Sequence, residues 1–210
     1  MFDPLRTQSL FKTSDSSRPI YFWQPTYDRA NYAAAGASSV SLFTVPKGQT
    51  ATLIRNGAAG SITKTARDTN MENAGVIPSK QIHIYGISLG YIHLTEGAVT
   101  NAADRDKLRG SGVFTLKTVS DRIILQLPLI YLPEVNPITA ASNPTSGTAT
   151  IIAQSGGGGF GVPMYNLTET PAVIEANQNF SVTIEFDGSP TLTNAIDICV
   201  ALQGVEVRPS

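Results

Sequence analysis

Charge is scarce in this 210-residue chain. Fifteen Lys and Arg and sixteen Asp and Glu give 15% charged residues and a formal net charge of −1, against about 25% in an ordinary globular domain. So balanced a chain exerts no long-range pull on nucleic acid, which needs clustered bases to displace counterions. Within residues 1–18, Arg6, Lys12 and Arg18 stand against Asp3 and Asp15, too few for a genome-binding arm. Cysteine is nearly missing: Cys199 is alone, which excludes an intrachain disulfide and a Cys-based metal cluster. Lying in the apolar run 196–202, it reads as a buried, inert thiol. No stretch approaches the ~20 apolar residues that cross a bilayer as a helix. The opening MFDPLRTQSLFKTS lacks the apolar core of a secretory signal. Synthesis in the cytoplasm without classical export is therefore expected, and the sequons at Asn166 and Asn179 are read as chance.

In place of charge the chain carries 40 Ser and Thr, 18 Gly and 13 Pro, with hydrophobic residues at 41%. Disorder needs higher net charge and fewer β-branched residues. A helical bundle needs more Glu, Lys and Arg. A Thr-, Val- and Ile-rich β protein with many turns remains.

Residues 1–37 read as an irregular N-terminal arm. Pro4, Pro19 and Pro25 interrupt it, and Phe2, Leu5, Leu10, Phe11, Tyr21, Phe22 and Trp23 supply apolar anchors. Residues 38–210 read as one β-barrel domain. Strands are expected at 38–45, 49–55, 81–94, 112–119, 121–131, 148–154, 171–175, 180–186 and 195–207, with 56–79 as a long surface loop and 133–147 as another. In 81–94 the alternation changes parity at Gly86, which predicts a bulge or bend. A similar shift is expected at Gly204. Thr100 to Leu108 is the one helix candidate, with Gly110 as its stop. Such a strand pattern without α/β alternation predicts an all-β fold: a single antiparallel β-sandwich or jelly roll with one short helix.

Catalytic patterns are thin. His83 and His93 lie on one strand, and the bulge sends them to opposite faces; the paired histidines of a cupin metal site are missing. Gly86-Ile87-Ser88-Leu89-Gly90 matches the letters of a nucleophile elbow. That motif needs a sharp strand-to-helix turn, whereas Ser88 sits inside a β run. Asp104 and Asp106 are two apart in the helix candidate, hence on different faces. Glu185 and Asp187 read as solvated strand-end charges. The tetraglycine at 156–159 lacks the Lys-Ser/Thr of a phosphate loop. No catalytic, cofactor-binding or metal-binding residue is assigned, and no enzyme is expected. A cupin-like or hydrolase reading would rest on His83, His93 or Ser88.

Neutral Ser/Thr/Gly-rich loops on a stiff β block, with an apolar arm, suit a protein that works by contact. The C-terminal strands Phe180 to Asp187 and Ile196 to Leu202, the latter running into Gln203-Gly204-Val205-Glu206-Val207-Arg208-Pro209, resemble the closing strands of jelly-roll coat proteins of icosahedral, tailless, often membrane-containing bacteriophages. The resemblance covers about a sixth of the chain by sequence, and its length implies a single-barrel subunit. It implies a major or minor capsid protein, located in the virion and assembling through neutral, shape-complementary contacts. Implied partners are copies of itself, other virion proteins and an internal membrane, with no cofactor and no direct nucleic-acid binding. Phe2, Leu5, Phe11, Tyr21, Phe22 and Trp23 are the expected subunit-contact residues. The competing reading is a glycan- or receptor-binding β-sandwich that uses loops 56–79 or 154–170.

Overall fold

The structure is a computed structural model, and it describes residues 20–94, 99–118, 122–135, 138–143, 150–155 and 164–208. Fourteen strands are described: β1 (Ile20–Trp23), β2 (Thr26–Tyr32), β3 (Ser39–Leu42), β4 (Thr50–Arg55), β5 (Ala58–Thr63), β6 (Gln81–His93), β7 (Gly112–Thr118), β8 (Arg122–Pro128), β9 (Ile138–Asn143), β10 (Thr150–Ser155), β11 (Tyr165–Asn166), β12 (Ala172–Ile174), β13 (Phe180–Phe186) and β14 (Ile196–Arg208). One α-helix, α1 (Val99–Ser111), and a 3-10 turn, Leu129–Tyr131, complete the described elements.

Two antiparallel sheets form the body. In the first, β14 is flanked by β6 on one side and by β1 and β2 on the other, and β11 and β12 pair with the far side of β6. The second runs β3-β13-β7-β8. Count β1–β2 as one interrupted strand, do the same for β11–β12, and leave out the two separate hairpins. The sheets then read first–eighth–third–sixth and second–seventh–fourth–fifth. That order is two nested Greek keys, the jelly roll expected from the sequence.

The core lies between the inner faces. Ile84, Ile87, Leu89, Ile198, Val200 and Leu202 of the first sheet meet Leu42, Phe114, Leu116, Val182, Ile184 and Phe186 of the second. β13 shows why this sequence makes a strand: Phe180, Val182, Ile184 and Phe186 are buried, and the residues between them stay half-buried or exposed. Each such apolar side chain is worth roughly 1.5–3 kcal/mol once withdrawn from water.

The parity change expected at Gly86 is present. The β6–β14 register slips between Gln203, opposite Gly86, and Gly204, opposite Ile84, which leaves Tyr85 as the extra residue. His93 therefore lies opposite buried Ile196 on the inner face, whereas His83 lies opposite Val205 on the outer face. β14 itself keeps its phase through Gly204, contrary to expectation. Its even positions stay buried from Ile196 to Glu206, so a carboxylate occupies an inward position. At the slip the strands approach closely, and a Cβ on Gly204 would stand 2.3 Å from the His83 carbonyl oxygen.

Other boundaries differ from expectation. Residues 20–32, placed in the arm by their prolines and aromatics, form β1 and β2, because only the Gln24-Pro25 step interrupts their pairing along β14. The stretch 56–79 is no surface loop. It holds β5, paired with β4, and a strap in which Lys64, Asp68, Thr69, Met71 and Ile77 are buried. β9 falls inside the expected loop 133–147, where it pairs with β10, the strand expected at 148–154. The helix runs past Gly110 to Ser111.

Candidate functional site

Four features of the body bear on function: a buried belt of charge, a polar helix latch, outward-facing apolar side chains and one cavity.

The belt forms where the β4–β5 hairpin and the strap 64–70 wrap the β2 edge of the first sheet. Asp28 and Arg29 are adjacent on β2 and point to opposite faces. On the inner side, Lys64 Nζ lies 2.6 Å from Asp28 Oδ1, and the Phe43 N–H donates to Asp28 Oδ2 at 2.5 Å. That second bond holds Phe43 at φ +62, a left-handed conformation rare for a bulky residue. On the outer side, Arg29 meets Asp197 at 3.2 Å and Asp68 at 3.4 Å, and donates to the Ile54 carbonyl at 2.6 Å. Asp197 accepts from the Ile54 N–H and from Asn31. Asp68 accepts from Arg55, from the Thr65 N–H and from the Thr65 hydroxyl.

The three carboxylates respond differently to this setting. Burial pushes Asp28 and Asp197 above the usual carboxylate range despite their partners. Burial pushes Asp68 the same way, but its hydrogen bonds from Thr65 and Arg55 and the Arg29 charge outweigh it and hold it below. Three carboxylates and three bases neutralise one another, and they bind the hairpin to the sheet alongside the buried Leu53 and Ile54 of β4.

The helix latch uses the buried face of α1. Asn101, Asp104, Arg105 and Leu108 are spaced three and four apart and are all buried, yet only Leu108 is apolar. Asp104 accepts the backbone N–H groups of Thr193 and Asn194, while Asp106 stays exposed. Arg105 and Arg109 close on Glu134 at 3.1 and 2.6 Å. Arg109 also donates to the carbonyls of Ile130 and Leu132. Burial, then the negative charge of Glu134, holds the neighbouring Tyr91 phenol protonated well above its usual range. The backbone at Glu134 is pinned in turn to mid-β6, since the Leu89 N–H donates to Pro133 and the Val135 N–H donates to Leu89.

On this fixed backbone the apolar side chains turn outward. Ile130 is 60% exposed and Tyr131 67%, with Val135 and Ile123 nearby in sequence and also exposed. A loop held by three charged side chains and a bridge to the core presents its apolar groups in one geometry: a rigid ledge. Of the expected contact residues, Tyr21, Phe22 and Trp23 are exposed on β1, and Trp23 stacks on Tyr85 with ring centroids 6.2 Å apart. Phe2, Leu5 and Phe11 lie outside the described residues.

The cavity, of about 480 Å³, opens between the strap and the start of β6. Met71, Ile77 and Ile82 give it an apolar floor, Val76 and Pro78 a half-buried wall. Glu206, almost wholly buried, meets Lys80 at 2.5 Å inside it; Lys47 and Glu72 pair loosely at 3.9 Å on its rim.

The residues singled out for chemistry are kept apart. Ser88 is fully buried in mid-strand on the outer face, where Gln203 donates to its hydroxyl. His93 faces inward, and His83 lies near Gln81 on the outer face. Burial pushes the Cys199 thiol up to about 12. Glu185 and Asp187 are exposed as read, and the tetraglycine lies outside the described residues. Among the described residues, no group of three or more His, Cys, Asp or Glu is placed to hold a metal ion, and no helix is long and apolar enough to cross a membrane.

Sequence composition missed the belt and the latch. Arg105 and Arg109, one helical turn apart, were a visible cue, but their acceptor Glu134 lies 25 residues beyond Arg109 and looked like a loop charge. Compared with protein families and with curated proteins, the chain matches no family model and no curated sequence.

Proposed function

We propose that this chain is a structural subunit of a virion shell, a major or minor capsid component, and that its work is contact with copies of itself rather than catalysis. The jelly roll supports this reading, since viral shells are among the uses of that fold, beside lectins and cupins. The observation that carries it is the ledge. Ile130 and Tyr131 face water on a backbone fixed by Arg109, Glu134 and Leu89. Large apolar side chains carried on an already fixed backbone suit a contact hot spot, because little further backbone entropy is lost on docking. The neutral balance of the chain allows many copies to approach without mutual repulsion. The resemblance of β13 and β14 to coat-protein closing strands points the same way.

Electron microscopy and light scattering of the purified full-length protein test the proposal. Closed shells, or hexagonal and pentagonal capsomers, are expected as concentration rises. A protein that stays monomeric at high concentration overturns it.

A further inference from the structure

We infer that Lys64 and Asp28 are the site of an intramolecular covalent bond: in the folded chain the Lys64 amine condenses with the Asp28 carboxyl, releases water and staples the strap to β2 by an amide. The inference does not depend on the shell-subunit reading.

Proximity is the first support. Lys64 Nζ lies 2.6 Å from Asp28 Oδ1, and the two side chains are 2% and 1% exposed. A nitrogen so near Oδ1 stands within about 4 Å of Cγ, close to the ~3–3.5 Å of a near-attack pair. Both backbones are fixed. The Lys64 N–H donates to the Gln49 carbonyl, and the Lys64 carbonyl accepts from the Gly48 N–H. Asp28 sits in mid-β2 opposite Val200 of β14.

The surroundings suit the reaction as well. Burial pushes Asp28 above the usual carboxylate range, towards the protonated carboxyl that an amine can attack. The Phe43 N–H donates to Oδ2, where negative charge grows as nitrogen adds. The left-handed backbone of Phe43 aims that donor, and the Gly75 N–H holds the Phe43 carbonyl from the other side.

The step balances without any further reactant. Oδ1 takes one proton from the Lys64 ammonium, and the neutral amine adds to Cγ. The Cγ–Oδ1 bond then breaks, and Oδ1 leaves as water with its own proton and one more from the nitrogen. Oδ2 becomes the amide oxygen and keeps the Phe43 N–H. The relay for these protons is the Thr69 hydroxyl, which hydrogen-bonds Asp28 and lies 3.2 Å from the Tyr27 carbonyl. A hydroxyl is a weak acid, so the reaction is slow. A freshly made chain still holds the ion pair.

Intact-mass spectrometry of the full-length protein tests this. Fresh protein is expected at the sequence mass, and protein incubated at neutral pH is expected to lose the mass of one water. A protease digest is then expected to yield one branched peptide joining the Asp28 and Lys64 segments. Protein incubated in urea is expected to keep its full mass, because only the fold brings the pair together. Lys64→Arg keeps the positive charge but supplies no nucleophilic amine, so it is expected to lose no water. Thr69→Ala keeps both reactants and is expected to slow the loss at least tenfold.

The wild-type result decides by itself, whether or not the variants fold. An unchanged mass after incubation overturns the inference. So does a lost water with the two segments still separate, as a cyclised Asp187-Gly188 step would give. Equal loss of water in Lys64→Arg overturns it too.

Discussion

Lys64 and Asp28 meet at 2.6 Å with both side chains almost completely removed from water. Each is tolerable there only because of the other. Asp28→Asn keeps an oxygen to accept the Phe43 N–H but leaves the Lys64 ammonium buried without its counter-charge. A loss of about 3–5 kcal/mol is expected. Combining it with Lys64→Met is expected to recover most of that loss. Urea denaturation of the wild type, the two single variants and the double variant measures the coupling, and additive losses would refute it.

Acidification acts on the belt in two opposite senses. Asp197 lies above the usual carboxylate range in the folded chain because of burial, so the folded state holds its proton more tightly than the unfolded state does. Its contribution to stability therefore grows as pH falls towards that range and is lost as pH rises through the folded value. Asp68 lies below the range, so its contribution is present above the unfolded value near ~4 and lost as pH falls further. Asp28, raised in the same way, adds to that rise, so urea midpoints measured from pH 7 to pH 3 are expected to show a smaller rise in Asp197→Asn and a smaller final drop in Asp68→Asn. Parallel profiles in all three proteins would contradict these assignments.

Cys199 faces Arg29 on one side and Gly90 on the other, and burial raises its thiol to about 12. At pH 8 only about one part in 10⁴ is thiolate, against roughly a quarter for a free thiol. Labelling by a disulfide reagent is expected to be at least a hundredfold slower in the folded protein than in urea. Comparable rates would place the thiol in water.

Ile130→Asp and Tyr131→Asp put charge on the ledge without touching the core, so stability is expected to change by no more than about 0.5 kcal/mol. Assembly is expected to require at least tenfold more protein, as read by light scattering. Unchanged assembly in both variants would remove the ledge from the contact surface.

What could be read in advance follows from how far each signal travels along the chain. β13 and β14 were legible because their alternation is local. The Tyr85 bulge was legible because it reverses that alternation within a few residues. The β5 hairpin and the strap were not, since Lys64 and Asp68 look like loop charges until β2 and β14 come beside them. The Arg29–Asp197 pair joins residues 168 positions apart. The phase shift expected at Gly204 fails for another reason: Glu206 holds an inward position, where a carboxylate breaks the apolar pattern, and its partner Lys80 comes from a distant segment. Sequence patterns carry strands well and carry ion pairs between distant segments poorly.

The ledge also has a mechanical meaning. Its backbone hangs from Leu89 through the bonds to Pro133 and Val135, and Leu89 lies opposite Val200 in the middle of the β6–β14 ladder. A pull on Tyr131 is thus delivered to the centre of the sandwich, where many hydrogen bonds share the load at once. It does not peel a loop away from its end one bond at a time. A neighbour tugging at this point would meet the stiffness of the whole first sheet.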